Sequence, residues 1–225
     1  MIAAGLALSL AGCAMPQRVD APVGAPRDRD ALNVDREVYA DLIRSMLDQD
    51  QYYAALAHVQ QRRAAGGGDL DTLNYLEAEA RRGLGQIATA DRLYQGLVRS
   101  RLAGQAYHGL GLLHGRTDPP RAIGFLREAA RLRPTDANVR NDLGYALLIA
   151  RHYGDALHEL ATAVELAPDS DKARNNLLLL MMVQGNETAV GRITREAAVS
   201  PETITRLRQQ ARALSRTSTT SGGRG

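Results

Sequence analysis

The sequence predicts an all-α fold, a solenoid in which antiparallel helix pairs stack one on the next. Two observations point there. The first is composition: the chain has 225 residues, 44% hydrophobic and 24% charged, but only 4% aromatic, with no Trp and one Phe. Its core must then be packed by Leu, Ala, Val, Ile and Met, in a sequence rich in the strong helix formers Ala, Leu, Arg and Glu. The second is recurrence: the pair Leu143-Gly144, followed by Ala156, Leu160, Ala163 and Pro168, repeats an earlier Leu110-Gly111 with Ala122, Leu126, Ala129 and Pro134. A fixed period of about 34 residues marks stacked helix pairs that cannot bury their apolar faces alone.

The chain opens on an apolar run, Met1 to Gly12, that ends in small residues as a secretory signal does. Leu10-Ala11-Gly12-Cys13 resembles the bacterial lipobox, which implies a signal peptide over 1–12 and acylation of Cys13. Cys13 is the single cysteine, so no internal disulfide can form. No Lys or Arg precedes the apolar run, which predicts a start codon upstream of Met1 that supplies the basic segment. Ala14 follows the Cys where an Asp would imply inner-membrane retention, so the resemblance implies the periplasmic face of the outer membrane. Residues 13–33 carry Pro16, Pro22 and Pro26 and predict a lipidated, disordered tether. Twenty such residues span about 25 Å as a flexible coil.

Residues 34–198 are expected to form the solenoid, with four pairs up to Ser170 and a degenerate fifth. The clearest pair spans Ala137 to Ser170; in the one before it, Pro119 and Pro120 start the second helix, where a fixed φ is an advantage. Ala78, Gly85, Ala90, Tyr94 and Leu97 mark an earlier pair, and Tyr39, Ile43, Tyr52, Ala55 and Val59 the first. These positions fit the tetratricopeptide consensus. Ile43, Ala78, Gly111 and Gly144 are expected where each first helix crosses Ala55, Ala90, Ala122 and Ala156 of its partner. Leu126 and Leu160 are expected to fill wider gaps between repeats. Ile43 and Arg62 depart from the consensus, as terminal repeats often do.

Beyond Ser170, the run Leu177 to Val183 predicts a helix buried nearly all round and ended by Gly185. A partner helix is expected near Glu187 to Ala198. Ser200 and Pro201 read as N-cap and first helical residue of a capping helix over 199–215. Ile204, Leu207, Ala211 and Leu214 form its apolar stripe. Residues 216–225 are expected to be a disordered tail.

The net charge of +3 does not indicate nucleic acid, since Arg alternates with acidic residues along the chain and Lys172 is the one lysine. No catalytic motif, metal-ligand spacing or cofactor fingerprint is present. His108 and His114, like His152 and His158, are six positions apart and fall on different faces of a helix. The expectation is a non-catalytic scaffold without metal or cofactor.

In tetratricopeptide arrays the first helices of the pairs line a groove, and residues flanking the Leu-Gly point into it. That resemblance places Tyr75, His108, Arg140, Asn141, Tyr145, Lys172, Asn175 and Asn176 on the binding face. Arg140-Asn141 and Arg174-Asn175 occupy equivalent places one repeat apart, and a ladder of Asn amides can hydrogen-bond an extended peptide.

The segments Asn141 to Leu147 and Ala173 to Leu178 resemble the tetratricopeptide lipoproteins of tight-adherence (Flp) pilus assembly, the TadD family, over roughly residues 100 to 185. The resemblance implies protein partners, a secretin or other pilus-assembly components, and a pilotin-like role in assembling the secretion machine. The alternative is a general periplasmic tetratricopeptide lipoprotein for outer-membrane or cell-wall biogenesis.

Overall fold

The computed structural model describes residues 29–216, and every element among them is a helix. The order is α1 (Arg29–Asp48), α2 (Tyr52–Ala64), α3 (Leu70–Gly83), α4 (Ile87–Leu97), α5 (Ala103–His114) and α6 (Pro119–Leu132). Then follow α7 (Ala137–Ile149), α8 (Tyr153–Leu166), α9 (Asp171–Val183), α10 (Glu187–Glu196) and α11 (Pro201–Arg216). The expected helix pairs are therefore present through α8, and α9 with α10 forms the looser fifth. Helix α1 begins at Arg29, inside the stretch expected as tether, because the last helix breaker, Pro26, lies upstream of it. Cys13, the signal peptide, the rest of the tether and residues 217–225 lie outside the described residues.

Each pair is closed by a tight turn whose chemistry is legible. In four of the five, one residue adopts positive φ: Asp50, Gly85, Arg151 and Gly185. The next residue's N–H then donates back to a carbonyl of the preceding helix, Gln86 to Arg81 at 2.8 Å and His152 to Leu147 at 2.9 Å. This satisfies carbonyls the helix end leaves open. The α5–α6 turn instead uses the Asp118 carboxylate, which accepts from Arg121 N–H, ahead of Pro119 and Pro120. Most helices that start a new pair are capped by side chains: Asp69, Asp136 and Ser170 accept from backbone N–H groups in the first turns of α3, α7 and α9.

Packing within the pairs follows the small residues. Ile43, Ala78, Ala55, Ala90, Ala122 and Ala156 have no exposed surface. Leu126 and Leu160, expected between repeats, share one buried cluster with residues of the following helices and also pack within their own pairs. They lie directly on the glycines of their own pair: a Cβ on Gly111 would fall 2.5 Å from Leu126 Cγ, and one on Gly144 would fall 2.6 Å from Leu160 Cγ. A missing side chain on the first helix is thus matched by a Leu on the second. The same device joins neighbouring pairs, where the Tyr94 ring occupies the space a Cβ on Gly109 would need, 2.4 Å away. Tyr94 is fully buried and its hydroxyl donates to Glu79 at 2.5 Å. Arg62, the departure in the first pair, lays its guanidinium 4.9 Å from the Tyr39 ring centre.

The odd-numbered helices α1, α3 and α5 pack on one another in succession, as do α7 and α9, while the even-numbered helices stay apart. The odd helices therefore line the inner side of a curved array. Between α5 and α7 the backbones stand farther apart, and side chains bridge the seam. No described helix is long and apolar enough to cross a membrane.

Candidate functional site

The inner face is built by one register position of the odd helices, the residue shortly before the Leu-Gly crossing. It places Tyr75 on α3, His108 on α5, Asn141 on α7 and Asn175 on α9. Because the helices lean across one another, the partner of His108 and of Asn141 is not its equivalent in the next repeat but the residue after that equivalent. His108 Nε2 lies 2.8 Å from Asp142 Oδ2, and Asn176 Nδ2 donates to Asn141 Oδ1 at 2.8 Å. Asn141 Nδ2 in turn donates to Asp142 Oδ1 at 3.0 Å, and Lys172 Nζ reaches the same oxygen at 2.7 Å.

His108, Asn141 and Lys172 thus converge on Asp142, a residue that sequence reasoning missed, and Asn176 joins the network through Asn141. Burial alone would raise the Asp142 pKa, but the hydrogen bond from His108 and the charge and hydrogen bond of Lys172 outweigh it and hold the carboxyl below 3.8. A signal for Asp142 was present: it is an acid beside the paired Asn, level with the lone lysine one turn round the next repeat. Only the lean of the helices makes it the centre.

The Asn ladder differs from the expected one. Asn141 is 2% exposed and commits its amide to Asn176 and Asp142, so its hydrogen bonds tie α7 to α9. Asn175 stands apart, its Oδ1 buried without a hydrogen-bond partner. Arg140 also leaves the face. One residue is a turn of about 100° on a helix, and this points its guanidinium at α8, where it pairs with Glu159 at 2.8 Å and donates to the Pro134 carbonyl at 3.0 Å. Tyr145 is half-buried on the inner face and its hydroxyl accepts from Gln210 of α11 at 3.5 Å.

Tyr75 lies at the other end, away from this network. Its ring centre is 6.4 Å from that of Tyr94, and burial, with Glu79 nearby, pushes its hydroxyl pKa up. It lines an open cleft of about 300 Å³ across α1, α3 and α5, with Arg44, Thr72, Glu79, Gln105 and Arg133. An apolar floor and charged rim of this kind suit a polypeptide better than a small molecule. His114 pairs with Asp91 at 2.6 Å, remote from His108. Among the described residues no group of His, Cys, Asp and Glu is placed to hold a metal ion.

Over 214 residues the chain is 35% identical to the TPR repeat-containing protein PA4299 of Pseudomonas aeruginosa, covering 94% of this chain and 84% of that one. The chain belongs to the tetratricopeptide-repeat proteins. Solved tetratricopeptide structures share the fold at lower identity. TTC0263, a thermophilic TPR protein in Thermus thermophilus, superposes with a TM-score of 0.61 at 18% identity, covering 80% of this chain and 98% of that one. MamA from Desulfovibrio magneticus RS-1 gives 0.56 at 16% identity, over 78% and 96%. A scan against protein-family models finds no match. As a tetratricopeptide array the chain is a protein-interaction scaffold, and its inner face is the surface where Tyr75, His108, Tyr145, Lys172 and Asn176 lie.

Proposed function

We propose that this scaffold is an outer-membrane lipoprotein, anchored through Cys13 on the periplasmic side, that assists assembly of a tight-adherence (Flp) pilus secretion machine and acts on its secretin as a pilotin does. The observation that carries the reading is Leu10-Ala11-Gly12-Cys13 ahead of a proline-bearing stretch and a tetratricopeptide array. Two or three acyl chains contribute roughly 0.8 kcal/mol per buried CH₂, enough for stable anchoring. The partner lies along the inner face. Tyr75 and its cleft supply apolar contact, and His108, Lys172 and Asn176 supply hydrogen bonds from a rigid frame that Asn141 and Asp142 hold from beneath.

The test is capture of the secretin by the full-length protein, with membrane fractionation alongside. Cys13→Ser should move the protein from the outer-membrane pellet to the soluble fraction and leave the fold unchanged by circular dichroism. Tyr75→Ala combined with Lys172→Ala should weaken secretin capture at least tenfold. Capture of cell-wall or outer-membrane assembly proteins in place of the secretin would instead favour the general biogenesis reading.

A further inference from the structure

Helix α11 is seated unlike the other helices. The first helix of each earlier pair rests on the second helix of the pair before it, but α11 packs on α9 and largely bypasses α10. Two of its sixteen residues are buried, Leu207 and Ala211, whereas α7 buries six of thirteen. Ile204, Gln210 and Leu214 continue the stripe half-buried, and Arg206, Arg208 and Arg212 face outward.

This seat is on the inner face. The α11 stripe joins the core of α7 and α9, Gln210 reaches the Tyr145 hydroxyl, and Arg151 Nη2 donates to the Leu214 carbonyl at 3.4 Å. Helix α9, on which α11 rests, buries Leu178, Leu179, Leu180 and Met181 around its circumference, in one cluster with Leu207 and Ala211 of α11. An ion pair, Arg208 with Glu187 at 2.7 Å, fixes the outer edge. A cleft of about 330 Å³ remains along the flank, between Met182, Glu187 and Arg212. The helix is joined to α10 by a short link in which Ala198 takes positive φ.

We infer that α11 is a displaceable occupant of the inner face, and that the seat beneath it receives an amphipathic helix of a partner protein. The occupant already there defines that helix: Leu and Ala four residues apart toward α9, with basic residues outward toward Glu187. A helix laid in a groove by anchors at i, i+4 and i+7 is a standard mode of peptide recognition. A tethered copy competes at high effective concentration, so the intact chain binds such a helix only as fast and as often as α11 opens. The inference rests on the reading of the inner face as an interaction surface, and it adds the chemistry of what that surface takes.

The probe is a fluorescent synthetic peptide of residues 201–216, titrated against two full-length proteins, the wild type and the Leu207→Asp, Ala211→Asp double variant. The variant should bind at least tenfold more tightly than the wild type, and a scrambled peptide should bind neither. Equal binding to both proteins, or none, overturns the inference. Amide exchange of the unmodified protein gives a second reading that needs no variant to fold. The α11 amides should exchange at least tenfold faster than those of α7 and α9, and uniform exchange across the three helices overturns the inference as well. The peptide assay uses no pilus protein. Failed secretin capture beside tight peptide binding would remove the secretion reading and leave this one standing.

Discussion

Gly144 and Leu160 meet where a Cβ would stand 2.6 Å from the Leu Cγ and 3.1 Å from its backbone nitrogen. The side chain is fully buried and the backbone cannot retreat, so Gly144→Ala should cost about 1–3 kcal/mol by overpacking, and Gly144→Leu more. Trimming the obstacle in a Gly144→Ala, Leu160→Ala double variant should return part of the loss, a coupling that urea unfolding of the four members of the cycle measures. Strict additivity would mean the two residues do not touch. Asp142 makes a different kind of prediction. Its folded pKa lies below the 3.8 of the free carboxyl, so its ionised form contributes stability at every pH above about 4. That contribution is lost as the pH falls through the lowered folded value. Asp142→Asn should therefore cost about 2 kcal/mol at neutral pH, the scale of a charge-assisted hydrogen bond, and should flatten the loss of stability below pH 4. A variant that keeps the wild-type acid limb would assign that limb to other carboxylates.

At the scale of elements, the turns explain why the helix pairs were legible in the sequence. Gly85 and Gly185 announce a positive φ, Pro119 and Pro120 a helix start, and the small residues at each crossing announce the pairing. Asp50 and Arg151 occupy the same kind of turn without glycine, and the chain still folds there because the bonds on either side determine the backbone. A non-glycine residue in the left-handed region costs roughly 1–2 kcal/mol, while glycine loses more chain entropy on folding. Arg151→Gly should thus stabilise the protein by up to about 1 kcal/mol, less the bond to the Leu214 carbonyl, as a rise in Tm. Unchanged or lowered stability would show that this bond to α11 matters more than the turn. The site was less legible than the turns. Periodicity puts Asn141 and Asn175 at one register position, but the lean of one helix across the next pairs Asn141 with Asn176 and His108 with Asp142. A one-residue offset decides which polar groups are satisfied within the chain. Arg140 shows the same limit, since a neighbour of an inner-face residue is a third of a turn away and found Glu159.

At the scale of the molecule, the buried side chains fall into three clusters. One joins α1, α2 and α3, a second joins α3, α4 and α5, and the third runs from α6 to α11. The first two share Tyr75 as a packed neighbour, and the last two share Tyr107. A linear array is stabilised by its units and the interfaces between neighbours, so its cooperativity is set by the weakest seam. Here the inner-face seam between α5 and α7 is the loosest, and the His108–Asp142 bond spans it at 2.8 Å. Lys172 and Asn141 meet the same carboxylate, so one side chain couples three consecutive odd helices. Removing it should separate the halves. Asp142→Ala is expected to broaden the urea transition and lower its apparent m-value, with amides of α1 to α4 exchanging before those of α7 to α9. His108→Ala removes the bond across the seam but leaves Lys172 on Asp142, and should give the same order of exchange with a smaller change in m. One sharp transition in both variants, with exchange uniform along the chain, would show instead that the backbone packing of α6 against α5 and α7 carries the cooperativity and that the polar cluster serves only the inner surface.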